Sequence, residues 1–139
     1  DAAFRIRPLG TQPYEPTRKH VFSMYLDGAF YELHLRKSAR PRESALDNLD
    51  VCLLNEKVLK PVFGITDPRR DRRLQYRCWE HPALELKAAV DSGLFAVGFG
   101  LVPVSMEELR NVADSGQTMP PKSTFLEPKL RSGLTIYDI

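Results

Sequence analysis

The stretch HVFSMYLDGAFYELHLR, residues 20–36, decides the fold. Two alternating runs flank Asp27-Gly28, a dipeptide that suits a type I′ turn because both central residues must take positive φ. The spacing predicts a β-hairpin with a two-residue loop. Its register pairs Leu26 with Ala29, Met24 with Tyr31 and Phe22 with Leu33 on one face, leaving Ser23/Glu32 and Val21/His34 on the other.

Outward from the hairpin the punctuation is clear. Residues 4–9 alternate enough for a short strand, and residues 10–18, with Pro13 and Pro16, form a connector. On the other side, residues 37–48 are a polar loop with Pro41, closing in Asp47 and Asn48 as candidate helix N-caps. From Leu49 the residues Val51, Leu54, Val58 and Val62, with Leu59 beside them, recur at helical spacing until Pro61 and Gly64 end or kink the run. Residues 74–79 suit a strand, and Pro82 opens a second helix that should stop at Gly93.

Residues 94–101 are almost continuously apolar, the composition of a central strand buried on both faces. Ser105-Met-Glu-Glu108 then spells a capping box, which starts a third helix at Met106 that runs to about Asp114. The triplet Asp-Ser-Gly ends both later helices. Glycine accepts the left-handed conformation after a helix, so capping explains the recurrence without an internal repeat. Residues 125–139 should hold two short extended pieces. The expected architecture is α+β: a mixed sheet of about five to seven strands with an N-terminal hairpin and about three helices packed on it, in one domain spanning residues 1–139.

Composition narrows the class of function. The 139 residues are 42% hydrophobic and 27% charged, enough to bury one core without staples. Twenty basic against 18 acidic residues leave a formal charge of +2, too balanced to predict a nucleic-acid partner. The longest apolar run, residues 94–104, is far short of the ~20 residues that cross a bilayer. The N-terminal Asp-Ala-Ala-Phe-Arg-Ile lacks the apolar run of a cleavable leader. Cys52 and Cys78 have no CxxC or Cys/His spacing, which predicts buried inert thiols in a reduced, cytosolic protein. His20, His34 and His81 are dispersed, and neither a metal site nor a cofactor site can be assembled from the residues.

Two stretches carry candidate chemistry. Arg69, Arg70, Arg72 and Arg73 could grip phosphate or carboxylate, but Asp67 and Asp71 interrupt them and no aromatic platform is interleaved, so a solvated loop is favoured. The other is the tail, residues 119–139. Pro120 and Pro121 stiffen the backbone before Lys122, Ser123 and Thr124, which together could present an ammonium, hydroxyls and amide N–H groups to an anion, with Lys129 and Arg131 further on. On the residues alone a structural role for the tail is favoured: the prolines end a helix, the hydroxyls bond to local backbone, and the cations solvate a strand edge.

The run MPPKSTFLEPKLRSGL, preceded by NVADSG, resembles the C-terminus of the bacterial and archaeal domain-of-unknown-function family 1015. The likeness extends through LDVCLLNEKVLKPVFGITDPRRDRR and VGFGLVPVSMEEL, and more loosely to the hairpin, with wording closest to the Bacteroidetes branch. Family members are longer and carry an Asp-Gly-His-His-Arg motif in an N-terminal half that is absent from these residues. The resemblance therefore implies the C-terminal part of a longer protein, inactive alone, with its own N-terminal domain as partner. Association of that branch with serine biosynthesis implies small phosphorylated metabolites as substrates, for which Lys122, Ser123 and Thr124 are suitable donors. Two departures bear on a site. The position of Asn55 is often histidine in other branches, and Cys-Trp-Glu-His-Pro at 78–82 replaces paired glycines. The alternative expectation is a non-enzymatic packing or homodimerisation domain.

Overall fold

The structure, a computed structural model, describes residues 3–41, 44–120 and Ser123. The hairpin forms in the expected register: β2 (Val21–Leu26) pairs with β3 (Ala29–Leu35) from Val21↔His34 to Leu26↔Ala29. Asp27 and Gly28 take φ of 48° and 77°, as a type I′ turn requires. β1 (Phe4–Gly10) adds to the outer side of β3, and β4 (Val97–Gly100) to the outer side of β2, giving the order β1-β3-β2-β4. Every pairing is antiparallel.

The fold is α+β, with four strands among the described residues rather than a mixed sheet of five to seven. No strand forms at 74–79. Leu74 packs against the core on one face of the sheet and Trp79 against the core on the other, so this segment passes from one face to the other instead of lying within it. Among the described residues β4 is an edge strand, not the central one its composition suggested. The extended pieces expected in 125–139 lie outside the described residues.

Both sheet faces are covered. On the first, Phe4, Phe22, Leu33 and Leu35 meet Leu53, Leu54, Val58 and Leu59 of one continuous helical run. That run comprises α1 (Asp50–Leu54), a π-helical turn (Asn55–Leu59) and α2 (Lys60–Phe63). Pro61 explains the π turn: its ring has no N–H and crowds the carbonyl four residues back, so the helix widens, and the Lys60 N–H bonds to the Asn55 carbonyl five residues earlier. The proline thus reshapes the helix without ending it. Gly64, at φ 67°, ends it. The expected caps are not used: Leu49 is the N-cap, with no side-chain bond.

On the second face, Tyr25 and Phe30 meet Ala83 and Leu86 of α3 (Pro82–Asp91). Leu86 lies so close to β4 that a Cβ on Gly98 would sit 2.2 Å from its Cδ1. α4 (Met106–Asp114) begins with the expected capping box, the Glu108 N–H donating to the Ser105 hydroxyl at 3.2 Å.

The strand order has a structural cost. β1 and β2 flank β3 and run parallel to each other, so the connector at 11–20 must cross the second face of β3. It is fastened along its length. The Tyr14 hydroxyl donates to Glu32 Oε1 at 2.5 Å, and Glu15 accepts from the Ala83 N–H at the start of α3 at 3.1 Å. Lys19 pairs with Glu108 on α4, and the His20 N–H donates to Asp50 Oδ1 at 3.0 Å.

Candidate functional site

A cleft of about 170 Å³ opens where the first helical run faces the loop that follows it. Val51 and Asn55 line it from the helix, Asp67 and Arg69 from the loop, and Tyr76 and Pro120 close it. Asn55 opens the π turn, a helical irregularity that recurs at functional sites. Ile65, 6% exposed, anchors the start of the loop in the core.

The loop's internal bonding engages the Arg70 and Arg73 side chains, and the lining of the cleft singles out Arg69. Arg73 donates to Asp71 Oδ2 at 2.6 Å and to the Phe63 carbonyl, and this pairing holds the Asp71 carboxyl below the usual range. Asp67 accepts from the Arg69 backbone N–H at 3.0 Å and lies 3.7 Å from Arg70 Nε. Among the described residues the Arg69 guanidinium has no ion-pair partner, and it borders the cleft. Burial raises the Tyr76 hydroxyl pKa. The Arg69 guanidinium can bind an oxyanion through its planar fork. The two groups do not make an acid–base pair. Cys52, half-buried on α1, has its thiol pushed up to about 11 by burial, so it is a poor nucleophile. Cys78 is exposed, against the expectation of two buried thiols.

Of the tail candidates, Lys122, Thr124, Lys129 and Arg131 lie outside the described residues. Ser123 is half-buried, and its hydroxyl donates to the Pro120 carbonyl at 2.5 Å. Its donor is therefore used within the chain. Pro120 brings the base of the tail to the cleft that Arg69 borders, so two stretches that were separate candidates in the sequence converge there.

Two further polar groupings escaped the sequence reading. Glu32, 6% exposed on the second face, accepts from Tyr14 and pairs with Arg7 at 2.7 Å and with His34 Nε2 at 3.0 Å. Burial works to raise its pKa, but the hydrogen bonds from Tyr14 and His34 and the charge of Arg7 prevail and hold it low. The same Tyr14 hydroxyl is pushed up to about 12, by burial first and then by Glu32. A signal was present: by strand parity Tyr25 and Phe30 share this face with Glu32 and His34, so it could not be a solvated one. The other grouping surrounds a cleft of about 150 Å³ between Lys19, His20, Asn48, Glu108 and Asn111. There His20 holds a left-handed φ of 64°, and its Nε2 lies 3.2 Å from Asn48 Oδ1.

Among the described residues no group of three or more His, Cys, Asp or Glu is placed to hold a metal, and no helix is long and apolar enough to cross a membrane. Fold and clefts together define a class: an antiparallel α+β domain covered on both faces, with small clefts at its rim. Comparison with known protein families, curated proteins and solved structures finds no match to this chain.

Proposed function

We propose that this chain is the C-terminal part of a longer enzyme of small phosphorylated metabolites, related to serine and phosphoserine, and that it supplies anion-binding groups to a site completed by an N-terminal half. The tail motif MPPKSTFLEPKLRSGL and its likeness to family 1015 supply the family reading. The observation that carries the binding chemistry is the Arg69 guanidinium, without an ion-pair partner among the described residues, at a cleft also lined by Pro120, which precedes Lys122 by two positions in the sequence. Alone, the domain offers binding groups and is inactive. Calorimetric titration of phosphate and of O-phosphoserine into the intact protein tests this. Arg69→Ala and Lys122→Ala should each weaken binding by about tenfold or more, since each removes a charged donor. Equal affinities in all three proteins would remove both residues from the site.

A second reading, that the domain serves packing or dimerisation, is favoured by one observation: β4 is strongly apolar yet, among the described residues, paired on one side only.

A further inference from the structure

We infer that Asp67 makes the Arg69 cleft selective for a zwitterion: an amino acid whose anionic group lies on the Arg69 guanidinium and whose ammonium group lies on the open oxygen of the Asp67 carboxylate. The inference rests on the oxyanion reading of Arg69 above and adds the residue that tells an amine-bearing anion from a plain one.

Asp67 and Arg69 both line the cleft, two positions apart and opposite in charge, yet their side chains do not pair with each other. The turn explains why. Asp67 Oδ1 accepts from the Arg69 backbone N–H at 3.0 Å, which ties the carboxylate to the main chain and leaves the guanidinium to itself. Asp67 Oδ2 accepts no hydrogen bond among the described residues. Arg70 Nε lies 3.7 Å from it, too far for a hydrogen bond, on a side chain that is 89% exposed. An exposed pair of this kind contributes about 0–1 kcal/mol, so a ligand ammonium can take its place at little cost.

The remaining features of the cleft suit the same ligand. Asn55 lines it from the π turn, and a carboxamide can accept from an ammonium through its oxygen or donate to an oxyanion through its nitrogen. At about 170 Å³ the cleft is well below the ~300–1,000 Å³ of pockets that enclose drug-sized ligands, which confines the occupant to about the size of one amino acid. The sign of the charge does the selecting. The carboxylate that attracts an ammonium repels an anion without one, and specificity is the difference between those two affinities.

Calorimetric titration of the intact protein and of its Asp67→Asn variant tests this, with O-phosphoserine, its analogue lacking the amino group, and inorganic phosphate as ligands. Asparagine keeps an oxygen for the Arg69 N–H, so the turn should survive. The variant should bind O-phosphoserine about tenfold or more weakly, while phosphate and the deaminated analogue bind as well as before or more tightly, because a repelling charge has gone. Misfolding would weaken all three together. Unchanged ratios of affinity in the variant, or a wild type that prefers the deaminated analogue, would overturn the role of Asp67 and leave the Arg69 reading standing. A wild type that binds neither phosphate nor O-phosphoserine would overturn both.

Discussion

Glu32 and Asp50 are both buried carboxylates, but their neighbours donate very differently. Glu32 receives a hydroxyl, a guanidinium and an imidazole, and its pKa falls below the ordinary 4.5. Asp50 receives chiefly the His20 backbone N–H; burial dominates, and its pKa rises above 3.8. The consequences for stability have opposite signs. Glu32 contributes stability that is complete above its unfolded pKa and is lost as pH falls through its lower folded value. Asp50 favours the fold when protonated, and that contribution is lost as pH rises through its raised folded value. Urea unfolding between about pH 3 and pH 7 should therefore show that Glu32→Gln flattens the loss toward acid, at a cost of about 1–3 kcal/mol near neutrality. Asp50→Asn should keep an acceptor for the strained His20 N–H and remove the decline above pH 4. Parallel pH profiles for both variants and wild type would refute this account.

At the scale of elements, the glycines of β4 mark close packing. Gly98 has no room for a methyl group beneath Leu86. Gly98→Ala should force α3 away from the sheet, lowering stability by about 1–3 kcal/mol, readable as a lower urea midpoint. An unchanged midpoint would mean that Leu86 rotates aside at no cost. The hairpin, the cap of α4 and the ends of α3 and α4 were legible because each depends on a few adjacent residues whose chemistry allows one conformation. The π turn and the 74–79 segment were not. Pro61 signals trouble in a helix, but whether the helix stops or widens depends on Val58 and Leu59, in the turn just before it, being held in the core. Likewise Leu74 and Trp79 look like one strand until the sheet sets them on opposite faces.

For the whole molecule, the connector at 11–20 does what no single element does, touching β3, α3, α4 and the first helical run in ten residues. Its prolines suggested a passive linker because the partners of Tyr14, Glu15 and Lys19 lie 18, 68 and 89 positions away. Most of the candidate cleft was hidden for the same reason: Asn55, Arg69 and Pro120 are drawn together only by the finished fold. Tyr14→Phe should lower stability by about 1–2 kcal/mol and speed amide exchange at Ala83 as Glu15 is released from it. Exchange at Ala83 that stays at the wild-type rate would show that Tyr14 does not hold the connector down. The strand order that requires the connector also bears on time. β1 leaves the ribosome before its partner β3 exists, and at roughly 5–20 residues per second the wait lasts a few seconds. A hairpin closes in microseconds, so β2 and β3 form the template and β1 docks on it afterwards. The arginines of β1 thus guard a strand that spends its first seconds alone.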